Sequence, residues 1–201
     1  MTSLSHLIMH ATAIKRNGKI DEISSIAGLE KQPAAEALEK AVSLGRLVQV
    51  DDTYLLSPAG RMILDSEYSR FCYEIRADED FVNSYNKFEA INRNLKQLLT
   101  EWQTVEVGGH IIPNDHSDSD YDERIIDRLG AIHDQFEPIL GRMISRIGRF
   151  EHYKSKLINA LEKAEDGDID WVSDARIESY HTVWFELHED LLRLLGQTRE
   201  D

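Results

Sequence analysis

One cysteine, four prolines and no apolar run approaching the roughly 18–20 residues that a membrane-spanning helix needs mark this 201-residue chain by what it has little of. With Cys72 alone there is no disulfide framework, so the fold must rest on a hydrophobic core, and the composition suits a reducing compartment. The first ten residues, Met1 to His10, lack the basic-then-apolar order of a secretory signal. A cytoplasmic protein without membrane contact is expected. Basic side chains are also scarce, at 23 Lys+Arg against 37 Asp+Glu, for a formal net charge of −14. There is no serine elbow, no phosphate-cradling glycine loop and no zinc signature, so no enzyme, metal or cofactor is expected. What is present, 41% hydrophobic and 30% charged residues, is the composition of a folded chain rather than a disordered one.

The charge is unevenly placed. Residues 1–64 carry seven basic side chains (Lys15, Arg16, Lys19, Lys31, Lys40, Arg46, Arg61) and seven acidic ones (Asp21, Glu22, Glu30, Glu36, Glu39, Asp51, Asp52). The remaining 16 basic and 30 acidic residues lie in 65–201, so the whole excess is there. An acidic body repels nucleic acid at long range, and any DNA contact must come from the neutral head.

Within that head, Leu4, Leu7, Ile8, Ala11 and Ile14 recur at helical spacing up to the Asn17-Gly18 stop. A short helix follows from about Asp21, which can cap it, with Ile23, Ile26 and Ala27 on its apolar face. After Gly28-Leu29, the stripe Ala34, Ala37, Leu38, Ala41 and Val42 predicts a third helix, ended by Gly45. Two β-prone runs, 47–50 and 53–56, are separated by Asp51-Asp52, a hairpin spacing although Asp-Asp is poorer than Asn-Gly at positive φ. Ser57-Pro58 then reads as N-cap and first-turn proline of another helix. Helix, helix-turn-helix, hairpin, helix is the order of a winged helix-turn-helix.

The segments Leu44-Gly45-Arg46-Leu47-Val48 and Leu55-Leu56-Ser57-Pro58-Ala59-Gly60-Arg61 resemble the wing of MarR-type regulators, over about 60 residues. The resemblance implies double-stranded DNA as partner, with Lys31, Gln32, Lys40, Ser43, Arg46 and Arg61 as the contacting residues. Asp51 and Asp52 depart from that pattern, since carboxylates at a phosphate-facing wing tip oppose binding.

From Ala59 onward the pattern is helical. Stripes at three-four spacing run through 61–76, 78–103, 118–147, 150–165 and 174–197, and Pro138 with Gly141 is expected to kink or split the third of these. Residues 104–117, with Gly108-Gly109 and Pro113, read as a loop. The expected fold is therefore mainly α with a small β-wing: a winged helix-turn-helix over 1–64 and an acidic antiparallel helical bundle over 65–201. The segments Pro113–Asp118 and Ser179–Leu192 resemble helical domains that follow a MarR-like head in bacterial proteins of unassigned role. Similar segments accompany phosphoenolpyruvate-utilising, pyruvate phosphate dikinase-like proteins, and the resemblance brings no catalytic residues with it.

In the bundle, Tyr180, His181, Trp184 and His188 sit on two turns of one helix, while His133 and Asn92 interrupt apolar seams. A polar pocket for a small polar or anionic ligand is expected from these six residues; the alternative is that they bond one another and fix helix register. A di-iron reading of Glu178-x-x-His181 has only one of the two pairs it needs, and Asp118, Asp120 and Asp122 lack the glycine and glutamate of a calcium loop. Cys72, on an apolar stripe, reads as a core thiol. The leading expectation is a homodimeric DNA-binding regulator with a small-molecule effector; the rival is a non-catalytic accessory protein whose head binds protein, in one form a phosphoenolpyruvate-utilising enzyme. The long stripes Phe81–Trp102 and Ile177–Leu194 motivate the dimer.

Overall fold

The apolar repeat that opens the chain forms helix α1 (Leu4–Lys15), capped by the Ser3 hydroxyl, which accepts from the His6 amide at 3.2 Å. The structure, a computed structural model, describes residues 3–198. It is mostly helical, with one three-stranded and one two-stranded antiparallel sheet. Among the described residues no helix is long and apolar enough to cross a membrane. The chain divides into two units: Met1–Val82 with Arg146–His152 and Glu186–Asp201, and Asn83–Ser145 with Tyr153–Phe185. These boundaries differ from the expected division at 64/65. Arg149 and Asp190, far along the chain, fall in the first unit with α1, where Asp190 accepts from His10.

In the first unit α1 is followed by strand β1 (Gly18–Lys19), helices α2 (Ile20–Ala27) and α3 (Lys31–Ser43), strands β2 (Leu47–Val50) and β3 (Thr53–Leu56), and helices α4 (Pro58–Phe71) and α5 (Tyr73–Ala77). The sheet order is β1-β3-β2, so β2 is an edge strand. The hairpin stands where the two β-prone runs place it, pairing Leu47 with Leu56 and Val50 with Thr53. Its turn is accommodated by Asp51 at φ +52°, a conformation that Asx residues tolerate. Strand β1 is too short to be read from sequence. Helix α2 starts at Ile20 rather than at an Asp21 cap: Glu22 accepts from the Lys19 amide at 2.8 Å, while Asp21 pairs with Lys31 at 2.7 Å.

The Ser-Pro-Ala-Gly segment has a local cause. The Ser57 hydroxyl donates to the Gly45 carbonyl at 2.6 Å and accepts from the Gly60 amide at 2.9 Å, tying both ends of the hairpin to the start of α4. A Cβ on Gly60 would lie 1.9 Å from the Arg46 carbonyl oxygen, so only glycine lets the hairpin exit pack this closely.

Helices α6 (Glu79–Gln103), α7 (Ser119–Arg146), α8 (Glu151–Glu165), α9 (Asp170–Ser173) and α10 (Tyr180–Leu195) complete the chain. Asp78 caps α6 by accepting from the Phe81 amide at 3.0 Å. Three expectations need correction. Residues 104–117 are not a plain loop: β4 (Thr104–Val107) and β5 (His110–Pro113) form a hairpin whose two-residue turn is Gly108-Gly109, both at positive φ. Helix α7 contains Pro138 without being split. The last helix begins at Tyr180, not near Asp174, because Asp174 instead holds Arg176 in a short turn, with an ion pair of 2.6 Å. Along the stripes Phe81–Trp102 and Ile177–Leu194, Phe81, Phe88, Leu95, Trp102, Tyr180, Trp184, Leu187 and Leu191 are buried within the chain, while Ile177 is half-buried.

Candidate functional site

Helix α3 and the hairpin carry most of the exposed residues that the sequence singled out in the head. Outward along α3 stand Glu30, Lys31, Gln32, Glu36, Glu39, Lys40 and Ser43, three carboxylates to two ammonium groups. Several of these are already engaged: Lys31 with Asp21, Gln32 with Glu36 at 2.9 Å, and the Ser43 hydroxyl with the Lys40 carbonyl at 2.8 Å. Arg46 is half-buried and donates to the Ser5 hydroxyl at 2.8 Å, while Arg61 is exposed on α4. At the turn Lys19 pairs with Asp52 at 2.8 Å, so these two charges offset each other.

The hairpin's two faces differ from the usual polar-out pattern. Cross-strand pairing puts Val48 with Leu55 and Val50 with Thr53 on the face opposite buried Leu47. Val48 is 47% and Val50 51% exposed, Leu55 is half-buried, and Leu44, at the end of α3, is 56% exposed. A solvated sheet face built from two valines and a leucine, on an edge strand, is an unusual thing to leave in water.

A second centre lies inside the first unit and was not anticipated. Asp190, fully buried on α10, accepts from Arg149 Nη1 at 2.5 Å and Nη2 at 2.7 Å, and from His10 Nε2 at 2.8 Å. Because a carboxylate only accepts, His10 carries its proton on Nε2, and its Nδ1 accepts from the Tyr68 hydroxyl at 2.8 Å. In that tautomer the 3.0 Å approach of Arg149 Nη2 to His10 Nε2 sets two donors side by side and is not a hydrogen bond. Burial alone would raise the Asp190 pKa; the Arg149 charge and then His10 outweigh it and hold the carboxyl well below the usual range. Burial lowers the pKa of His10 and of His6, whose neighbour Glu67 opposes the shift. Burial likewise pushes the Tyr68 hydroxyl and the Cys72 thiol up.

A carboxylate–imidazole–hydroxyl chain is the arrangement of a nucleophile relay. Here its hydroxyl belongs to a buried tyrosine that burial makes hold its proton more tightly than usual, and the chain of hydrogen bonds ties helices α1, α4 and α10 together. Cys72, 2% exposed, is a core thiol. The network escaped sequence reading because its members are 41 to 180 residues apart. The available signal was His6 and His10, four apart on the apolar face of α1, and a lone Asp190 in the Leu187–Leu191 seam.

The six expected pocket residues are placed as follows. In the second unit Asn92 accepts from the Trp184 indole at 3.0 Å and donates to Glu89 at 3.3 Å. His133 Nδ1 and the Tyr180 hydroxyl share a hydrogen bond of 3.2 Å. Trp184 stacks on Phe88 at 4.9 Å and meets Phe136 edge-on at 4.6 Å. His181 is half-buried; His188 is buried and belongs to the first unit. Asn92, His133, Tyr180 and Trp184 thus bond one another across helices, the register-fixing alternative, and none of the six lines any of three clefts found among the described residues. One cleft, of about 410 Å³ in the second unit, is acidic, with Asp122, Glu123, Asp127 and Glu165 beside His116. Another, of about 460 Å³ in the first unit, is lined by His6, His10, Phe71, Cys72, Glu74 and Arg149 among others. Among the described residues no three His, Cys, Asp or Glu side chains gather as a metal site.

Compared with known proteins, the chain matches no family model, no curated protein and no solved structure.

Proposed function

We propose that this chain is a non-catalytic accessory protein whose N-terminal head is a winged helix-turn-helix used to dock protein. The observation that carries the reading is the outer hairpin face of Val48, Val50 and Leu55. Burying such a face returns roughly 25 cal/mol per Å² of apolar area, and a free edge strand offers backbone donors and acceptors to a partner strand. The charges point the same way. A duplex would face three carboxylates and two lysines on α3 and a paired aspartate at the wing tip, where phosphate binding rewards lysine and arginine. The resemblance of Pro113–Asp118 and Ser179–Leu192 to segments that accompany phosphoenolpyruvate-utilising proteins makes such an enzyme the first partner to test.

A DNA-binding regulator is the second reading. The order α1-β1-α2-α3-β2-β3 supports it, because it sets α3 and the hairpin side by side as groove-entering and backbone-contacting elements would be. The docking reading is tested in a capture experiment with a phosphoenolpyruvate-utilising enzyme from the same cells. Docking through the wing predicts that a Val48→Glu, Val50→Glu bait loses the enzyme while a Lys31→Glu, Lys40→Glu bait keeps it. The opposite pattern would refute the wing as the docking face.

A further inference from the structure

The 460 Å³ cleft of the first unit holds a histidine with one nitrogen left over. His6 is 2% exposed, and its Nδ1 lies 3.1 Å from Glu67 Oε2. The carboxylate only accepts, so Nδ1 carries the proton and Nε2 presents a lone pair. Among the described residues Nε2 has no partner, and it is not sealed from solvent; His6 lines the cleft. An imidazole oriented through one nitrogen by a carboxylate, on the wall of a cleft, can accept a hydrogen bond from a ligand through the other nitrogen. The cleft lies within the volume range of small-molecule sites.

The charges around it decide which donor fits. Arg149 is cancelled by Asp190, and Arg146 is paired with Asp78 at 2.9 Å and Asp80 at 3.4 Å. Glu74, also on the cleft, makes no ion pair among the described residues. The uncompensated charge is therefore negative, beside an acceptor nitrogen and the apolar surfaces of Leu7, Phe71 and Ile75. We propose that this cleft binds a small primary amine in its protonated form, the ammonium donating to His6 Nε2 and opposing Glu74, with its alkyl part against Phe71. The inference is independent of the docking reading, which concerns a different surface.

The full chain is titrated with butylammonium chloride, butanol and sodium butyrate while the His6 ring resonances are followed by NMR, assigned with His6→Phe. Butylammonium is expected to shift them saturably and to bind about tenfold more tightly than butanol, with no binding of butyrate. Glu74→Gln, at an exposed position that leaves the fold intact, should reduce butylammonium to the level of butanol, and His6→Phe should abolish its binding. Should His6→Phe fail to fold, the three-probe comparison on the wild type and Glu74→Gln still decides. Butyrate binding as tightly as butylammonium, no saturable shift with butylammonium, or an unchanged Glu74→Gln would overturn the proposal.

Discussion

Replacing Asp190 with asparagine keeps its shape and removes the charge that Arg149 and His10 were folded against. Both of its oxygens are used, by two guanidinium N–H groups and one imidazole N–H, and the Arg149 side chain is only 10% exposed. The variant leaves a cation with little access to water and an amide N–H₂ turned toward donors. Breaking a buried ion pair from one side costs about 3–5 kcal/mol, against a total stability of about 5–15 kcal/mol. At about 2–4 °C per kcal/mol for a chain of this size, the melting temperature should fall by about 6–20 °C. Thermal and urea unfolding by circular dichroism at pH 7 measure it. The double variant Arg149→Met, Asp190→Leu should recover part of the loss, because an apolar pair of similar volume has no desolvation to offset. The acid limb checks the same network. His6 and His10 have lowered pKa values when folded, so the unfolded chain takes up their protons first and stability should fall as pH drops below about 6.5. Asp190, held low when folded, contributes fully above about pH 4, and that part is lost below it. An Asp190→Asn protein within 1 kcal/mol of wild type would refute the reasoning.

Gly60→Ala should destabilise by roughly 1–3 kcal/mol or more in urea unfolding, since its Cβ would sit 1.9 Å from the Arg46 carbonyl oxygen and the hairpin exit must open. Ser57→Ala, removing both the cap and the bond to the Gly45 carbonyl, should cost about 1–2 kcal/mol in the same assay. Tyr180→Phe strips the buried His133 of its hydroxyl partner and should cost about 1–2 kcal/mol, read from the tryptophan fluorescence transition.

The head was largely legible from sequence because its signals are local. The 3.6-residue stripes, the Asp51-Asp52 turn and the Ser57–Gly60 segment each act over a few residues, and each formed the element it implied. Strand β1 is not legible because two residues carry no period, and β4–β5 shows in sequence only through Gly108-Gly109, a two-residue hairpin signal. The polar centre was illegible for a different reason. His10 meets an aspartate 180 residues away, and nothing in a linear pattern pairs them. The bundle residues stand out in the sequence as polar side chains in apolar seams. A sequence shows that a buried Asn92 or His133 needs a partner; the fold alone shows that the partner is Trp184 or Tyr180 rather than a ligand.

Whether the head docks protein or reads DNA is tested most directly by titrating the full chain against a random-sequence duplex from low to physiological salt. With an acidic α3 face, a paired wing tip and a net charge of −14, no saturable binding is expected even at low salt. Saturable binding whose affinity falls with a log–log salt slope of several units would show phosphate contacts and contradict the account.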